Sequence, residues 1–282
     1  YVDSIESFYR VYSGVDEVSA DATEAFLRTI IRTDEYPLSR LGSTNATEMA
    51  KVLENSYRAM NIAFVVDWSR MAEEAGVDLY EVVDAIRLRP THANLMLPGI
   101  GVGGYCLTKD PLLASWSRSN LLPGDSRLPQ CEQAVSVNDQ MPRYAFEFLD
   151  RRYPEELAGR SVLLLGVSYR GDVGDTRFSP VEPFVRCLAS SEATITAHDP
   201  YVREWPEVGL VPQAELTDAL ASYPDLVVIS AGHTVYGDGE TISALLDCEP
   251  MWIYDTIGLL KPHQIEALKA KHTVIVLGRG DL

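Results

Sequence analysis

The chain has 282 residues, of which 46% are hydrophobic and 23% charged, and its formal net charge is −17 at pH 7. This length allows two domains, and the composition is ordinary for a globular protein. The negative charge argues against nucleic acid or an anionic membrane as the main partner. No apolar run approaches the roughly 18 residues that cross a bilayer.

The first residues predict the end of an α/β unit whose beginning is missing. We expect short strands at Phe8–Gly14 and Pro37–Gly42, on either side of an amphipathic helix at Ser19–Arg32 that Ser19 or Asp21 could cap. Two strands and one helix are too few to form a core. The start has no initiator Met and no signal-peptide pattern, so we expect a fragment or a processed product.

A long helix is predicted from Ser43 to Gly76. A Ser/Thr/Asn cluster opens this stretch, Gly76 suits its C-cap, and some thirty residues between them lack Pro and Gly. Helices of this length commonly join domains or form subunit interfaces. We therefore expect residues 43–76 either to join two domains or to form a subunit interface. Further helices are expected at Asp78–Arg89, 109–119 and 128–153.

Lys51 and Asn55 lie four residues apart on this helix, so both project from one face. They could belong to a catalytic or binding site. Taken by themselves, they are better explained as part of a solvated stripe with Glu48 and Arg58.

After Pro154 apolar strands alternate with helical segments, which predicts a parallel sheet covered on both faces. Ligands bind at the carboxyl ends of such strands. The loops after Gly166, Asp199, Ser230 and Asp255 are therefore candidate binding segments. The expected strands are Ser161–Ser168, Ala193–Asp199, Asp225–Gly232, Met251–Thr256 and Thr273–Gly278, and the expected helices are 179–190, 214–222, 240–247 and 262–271.

The stretch "GIGVGGYCLTKD", Gly99–Asp110, contains G-x-G-x-x-G, the spelling of a dinucleotide-binding loop. Such a loop needs a strand directly before it, whereas Pro98 precedes this one. We interpret it as a glycine-rich turn whose backbone can approach a phosphate or a sugar.

Cys106 follows that turn and precedes a helix expected to begin near Lys109. A thiol beside a lysine at a helix N-terminus has its thiolate favoured, and Asp110 falls on the same helical face. The alternative is a small buried hydrophobic residue. Cys131, Cys187 and Cys248 are interpreted as structural. The cysteine spacing indicates no zinc or other metal site, and the scarcity of cysteines fits free thiols in the cytoplasm.

The loop Gly166–Arg177 follows a predicted strand and carries three glycines, two arginines and two aspartates. It lacks the Lys-Ser/Thr of a P-loop. Its position favours a phosphate or ribose site over a plain surface loop. His92, His198 and His233 have no partner nearby in the sequence, and we assign none of them a catalytic role.

Three motifs together resemble the UDP-glucose/GDP-mannose dehydrogenase family. "GVGGYCLTKD" is similar to its catalytic-cysteine signature, "AKVLENSYRAMNIAF" to its central helix, and "LLLGVSYRGDVGDTRFSP" to the start of its nucleotide-sugar domain. The resemblance covers about residues 8–282.

The resemblance implies an α/β fold in which a long central helix and a helical dimerisation domain precede a Rossmann-like, parallel-sheet C-terminal domain. It also implies a homodimer through residues 43–76. Residues 1–42 would be the remnant of an NAD-binding Rossmann domain, which is mostly missing. Residues 43–157 would form the central domain, and residues 158–282 the UDP-binding domain.

The resemblance also implies roles for individual residues. Cys106 matches the nucleophile and Lys51 the residue that stabilises the oxyanion, while Asn55 and Asp110 match residues that bind the hydroxyl or position water. Arg170 matches a substrate contact, and Lys109 and Arg177 match contacts to NAD. Arg89 lies close to a substrate arginine that reaches across the dimer, and the loop over the substrate comprises Leu97, Pro98, Gly99, Gly101 and Gly103.

The leading hypothesis is an NAD-dependent oxidation of a nucleotide sugar at C6 to a uronate, through a thiohemiacetal and a thioester on Cys106. The nucleotide sugar would be of the UDP-glucose, UDP-N-acetylhexosamine or GDP-mannose type. One alternative is a dimerising, nucleotide-sugar-binding module without activity, because half of the active site would be missing. Another is a cysteine hydrolase or acyltransferase, but the sequence offers no histidine base close to Cys106.

Overall fold

The structure is a computed structural model that describes residues 2–124 and 126–282. The chain divides into two compact units, one up to Tyr57 and the other from Arg58 onward. The division falls inside the long helix. The three-domain division inferred from the resemblance stays a prediction.

The first unit contains short helices and a small parallel sheet. Its elements are α1 (Val2–Glu6), β1 (Val11–Tyr12), α2 (Glu17–Leu27), β2 (Ser39–Arg40) and the start of α3 (Thr44–Ala75). The strands β1 and β2 pair in parallel, with Val11 opposite Ser39 and Tyr12 opposite Arg40. Both predicted strands exist, but each pairs over two residues only, and α1 was not predicted.

The N-cap of α2 is Asp16, so the prediction of Ser19 or Asp21 was wrong. The Asp16 carboxylate accepts a hydrogen bond from the Ser19 backbone N–H at 2.7 Å, because a short acidic side chain in extended backbone reaches the first turn. Ser19 therefore lies inside the first turn, and α2 ends at Leu27, five residues before the predicted end at Arg32.

The long helix α3 spans 32 residues and ends just before Gly76, which has a left-handed φ of 71°. The sequence prediction of its extent is confirmed. Within the second unit, Ala59 and Ala63 of α3 are buried against Ala134. Phe64, Trp68 and Met71 are 57%, 47% and 60% exposed. Their spacing of four and three residues puts them on one face of the helix.

The helical part of the second unit continues with α4 (Leu79–Arg87), α5 (Tyr105–Asn120) and α6 (Pro129–Arg152). The helix α5 begins four residues earlier than predicted. Its N-cap is Gly104, with a φ of 78° and no capping side chain. Because the sequence has no Ser, Thr, Asp or Asn at that position, the usual start signal was absent.

The second unit ends in a five-stranded parallel sheet formed by β3 (Ser161–Leu165), β4 (Thr194–His198), β5 (Leu226–Ile229), β6 (Trp252–Asp255) and β7 (Thr273–Val276). The strand order is β4-β3-β5-β6-β7, and all neighbouring strands are parallel. One hydrophobic cluster includes Leu164 and Val228, and another includes Leu163 and Val227, so alternate side chains fill both faces. The remaining helices are α7 (Val181–Ser190), α8 (Leu216–Leu220), α9 (Gly239–Asp247) and α10 (Pro262–Lys269).

The predicted fold class is therefore confirmed: a long helix, a helical part and a doubly covered parallel sheet. The strand order reverses direction between β3 and β5, which creates a crevice where the loops after these strands diverge. Residues 2–124 and 126–282 contain no helix that is both long and apolar enough to cross a membrane. The same residues contain no group of three or more His, Cys, Asp or Glu that could hold a metal ion.

Candidate functional site

The glycine-rich loop before α5 lies on the carboxyl-end loops of the sheet. A β-carbon at Gly99 would lie 3.9 Å from the Thr256 carbonyl oxygen, just after β6. A β-carbon at Gly101 would lie 3.0 Å from the Pro180 side chain. At Gly103 it would lie 2.6 Å from both the Phe178 carbonyl oxygen and the Tyr169 β-carbon, closer than any real contact. Gly103 is therefore required for this close approach.

Cys106 is the second residue of α5, within the first turn, and it is exposed. The first-turn N–H groups of a helix favour negative charge nearby. Asp110 lies one turn later on the same face and is 9% exposed. The Lys109 ammonium lies 3.6 Å from the Asp110 carboxylate. The interpretation of Cys106 as a buried hydrophobic residue is thus wrong.

Two cations border this region on the loop after β3. Arg170 is exposed, and its side chain makes no hydrogen bond or ion pair within the described ranges. Arg177 is also exposed and forms an ion pair with Asp175 at 2.7 Å. Phe178 contacts Tyr105 edge to face, with ring centroids 4.9 Å apart. The loop after β3 therefore meets the start of α5 beside Cys106.

Lys51 and Asn55 belong to the first unit and are described there by themselves. The Lys51 ammonium donates to the Asn55 side-chain oxygen at 3.4 Å and to Glu54 at 3.1 Å. The prediction that the two share a helix face is confirmed. Asn55 is only 2% exposed, so the alternative of a solvated stripe is wrong for this residue.

The remaining predicted substrate residues lie before the glycine-rich loop. Arg89 is exposed and precedes a 3-10 turn at Pro90–His92. Leu97 is partly buried and lines a cavity of about 630 Å³ together with Tyr80 and Lys261. Pro98 is buried next to Gly278, whose β-carbon would lie 3.1 Å from the proline ring. These contacts hold the loop at the ends of β6 and β7.

Sequence reasoning missed the aromatic residues and the buried polar groups of this region. Tyr169 and Phe178 were inside or next to the quoted loop motif, but nothing in the sequence showed that they contact Gly103. His233 was given no partner, yet its Nε2 lies 3.0 Å from the Asp199 carboxylate. These partners are 34 residues apart in sequence and meet because β4 and β5 both flank β3.

Comparison with protein families matches two parts of the chain. Residues 45–140 match the central domain of the UDP-glucose/GDP-mannose dehydrogenase family, and residues 163–262 match its UDP binding domain. The chain belongs to the UDP-glucose/GDP-mannose dehydrogenase family. The central-domain match includes the long helix, the glycine-rich loop and Cys106. The UDP-binding match includes Arg170 and the loops at the carboxyl ends of β3 and β5.

Individual relatives agree with this family. The chain is 31% identical over 274 residues to UDP-N-acetyl-D-mannosamine dehydrogenase of Methanocaldococcus jannaschii. This alignment covers 96% of this chain and 59% of the relative. The chain is 26% identical to NDP-N-acetyl-D-galactosaminuronic acid dehydrogenase of Ralstonia nicotianae, over 86% of this chain and 56% of the relative. The chain therefore spans less than two thirds of the length of these relatives.

A solved structure of UDP-D-ManNAc dehydrogenase from Pyrococcus horikoshii has the same fold. It superimposes with a TM-score of 0.79 at 26% identity, covering 99% of this chain and 62% of that structure. The family's fold therefore extends over nearly all of this chain.

Proposed function

We propose that this chain is the catalytic and nucleotide-sugar-binding part of an NAD-dependent dehydrogenase that oxidises C6 of a UDP-N-acetylhexosamine to a carboxylate. The observation that carries the proposal is the position of Cys106. It is exposed in the first turn of α5, directly after a glycine-rich loop packed against the UDP-binding-domain match. The choice of sugar rests on the relatives described above, which are named for N-acetylated sugars.

In the proposed reaction, the C6 alcohol first loses two electrons and two protons to become an aldehyde. The Cys106 thiolate then adds to the aldehyde carbon, a C–S bond forms, and the oxygen takes a proton to give a thiohemiacetal. A second two-electron oxidation converts this adduct to a thioester. Water attacks the thioester carbonyl, the C–S bond breaks, and the products are the carboxylate and the free thiolate. Asp110, one turn after Cys106, is proposed to orient that water.

NAD, when bound, accepts the hydride in each of the two oxidations. Lys109 and Arg177 are exposed cations beside the contacting rings of Tyr105 and Phe178, a donor set that fits an anionic dinucleotide. The G-x-G-x-x-G of Gly99–Gly104 follows no strand in the described part of the chain and packs on the sheet's carboxyl end instead. We therefore assign Lys109 and Arg177 contact roles and assign no dinucleotide cradle to these residues.

The other predicted residues keep the roles that the family resemblance implies, as proposals. Lys51 would stabilise a developing oxyanion, and Asn55 would hydrogen-bond the reacting hydroxyl. Arg170, exposed and without an ion-pair partner in the described ranges, would bind the diphosphate. Arg89 would contact the substrate, as would the backbone from Leu97 to Gly103.

A homodimer through the long helix is part of the proposal. The aligned, exposed side chains Phe64, Trp68 and Met71 are what such an interface needs.

Cys106 is exposed, and all four cysteines are unpaired, which fits a reducing cytoplasm.

The competing function is a nucleotide-sugar-binding and dimerising module without activity, for which the match of residues 163–262 to the UDP binding domain is sufficient. The two are separated by joining the chain to an NAD-binding domain of the family and incubating the fusion with NAD and, in turn, UDP-N-acetylmannosamine, UDP-glucose and GDP-mannose. Thermal stabilisation reports binding, and absorbance of reduced NAD reports oxidation. Binding with oxidation supports the enzyme, and binding alone supports the module. No stabilisation by any UDP-sugar contradicts both.

A further inference from the structure

His233 is a fully buried histidine whose two ring nitrogens are both engaged. It follows β5 and begins the 3-10 turn Thr234–Gly237. The Nδ1 atom accepts a hydrogen bond from the Asp172 backbone N–H at 2.9 Å. Because Nδ1 accepts, the proton of the neutral ring is on Nε2. Nε2–H then donates to the Asp199 carboxylate at 3.0 Å.

Asp199 directly follows β4 and fixes the orientation of the His233 imidazole. Its carboxylate also accepts the backbone N–H groups of Val167 at 2.8 Å, Tyr201 at 2.9 Å and Val202 at 3.1 Å. Burial opposes the charge, but the hydrogen bonds from His233 and the backbone outweigh burial, and the pKa of Asp199 is lowered. Asp199 is thus an anion that orients the ring and selects its tautomer.

The histidine holds the loop after β3 at two points. The Ser168 hydroxyl lies 3.2 Å from His233 Nε2 and donates to the Arg170 carbonyl oxygen at 2.8 Å. Asp172 is bound through its N–H by His233, and its carboxylate accepts from the Thr234 N–H at 2.9 Å and the Thr234 hydroxyl at 2.6 Å. Asp172 has a φ of 58°, an unusual left-handed conformation that these contacts maintain.

The segment between these two points carries the exposed cation. Gly171 lies so close to the backbone of the β5 loop that a β-carbon there would be 2.0 Å from the Gly232 carbonyl oxygen. Arg170, directly before it, has its backbone fixed on both sides while its side chain stays exposed. A guanidinium on a fixed backbone loses less conformational entropy when it binds an anion than one on a mobile loop.

We propose that His233, held by Asp199, is a positioning residue that presents Arg170 to the diphosphate of the nucleotide sugar. This inference rests on the proposed function, because it assumes that Arg170 binds the diphosphate. It assigns His233 no contact with the ligand, since the imidazole is fully buried. Its effect on binding passes through Arg170.

A double-mutant cycle with UDP as the probe tests this coupling. Arg170→Ala is expected to weaken UDP binding to the 282-residue chain by about tenfold, as for one charge-assisted contact. His233→Asn is expected to weaken it by about fivefold, and by less than about twofold when Arg170 is already Ala. Calorimetric titration gives each dissociation constant, and a urea transition gives each stability.

The matched control is His272→Asn. His272 is also buried, and its Nδ1 accepts the Met251 N–H at 3.3 Å, at the opposite end of the sheet. It is expected to change stability but not UDP affinity. If His233→Asn does not fold, Thr234→Val removes only the hydroxyl bond to Asp172 and is expected to lower UDP affinity about twofold, again only when Arg170 is present.

The positioning role is overturned if His233→Asn lowers UDP affinity by the same factor with and without Arg170, or does not lower it at all. Either result leaves the proposed function intact. The same losses from His272→Asn would show a general effect of stability and also overturn it. If the wild-type chain does not bind UDP, the proposed function fails, and the positioning role fails with it.

Discussion

Gly103 and Tyr169 approach so closely that a β-carbon on Gly103 would lie 2.6 Å from the β-carbon of Tyr169. This contact joins the glycine-rich loop before Cys106 to the loop that carries Arg170. The two loops are in contact where Gly103 meets Tyr169, so neither loop can shift without displacing the other.

Gly103→Ala is therefore expected to destabilise the chain by about 1–3 kcal/mol, as overpacking does, and to weaken UDP binding. Urea unfolding and calorimetric titration measure the two effects. The control is Gly239→Ala, at the first residue of α9, where a β-carbon meets nothing within 4 Å. Wild-type stability and affinity in Gly103→Ala would refute the close contact.

Cys106→Ala is expected to lower uronate formation by a factor of about 10³ or more, because no group replaces the nucleophile. The assay uses this chain joined to an NAD-binding domain of the family, and UDP affinity should stay close to that of the wild type. Cys187→Ala, on α7, is the control and should keep its activity. Normal turnover without Cys106 would exclude the thioester route.

The parallel sheet could be predicted from sequence because buried parallel strands are continuous apolar runs, such as Val162–Leu165 and Leu226–Ile229. The start of α5 could not, because Gly104 caps it through backbone conformation alone. The partners of His233 could not either, since Asp199 and Asp172 reach it only through strand order. Local sequence patterns thus predicted the helices and strands, whereas the contacts between loops became visible only in the folded structure.

Glu73 gives a pH-dependent contribution to stability. Burial raises its pKa, although the Tyr144 hydroxyl and the Gly278 N–H, at 2.7 Å, donate to its carboxylate. A raised folded pKa means that the folded chain binds more protons than the unfolded chain between the two values. Stability from this group therefore falls as pH rises through that window, by at most about 1.4 kcal/mol per pH unit.

Glu73→Gln removes this titration, so its stability relative to wild type is expected to be greater at pH 7 than at pH 4. Urea unfolding at a series of pH values measures the difference. Glu74→Gln, at the exposed neighbouring position, is the control. The difference between its free energy of unfolding and that of the wild type should be the same at every pH. A constant difference between Glu73→Gln and wild type at all pH values would rule out this linkage.

Trp68→Glu tests the proposed dimer. A charge in the centre of a buried apolar interface is expected to weaken association by about 2 kcal/mol or more. Sedimentation should then show monomers at concentrations where the wild type is dimeric. Val211→Glu, at a residue 74% exposed in the second unit, should not change the mass. Dimers that persist unchanged in Trp68→Glu would argue for a different interface.

The four cysteines differ in access in a way that has a practical consequence. Cys106 is exposed, Cys131 is buried, and burial raises the pKa of the Cys187 and Cys248 thiols. A mild alkylating reagent at neutral pH should therefore modify Cys106 first, and intact mass should increase by a single adduct. The folded chain thus carries a natural attachment point for a fluorophore or spin label beside the proposed sugar site, without any engineered cysteine.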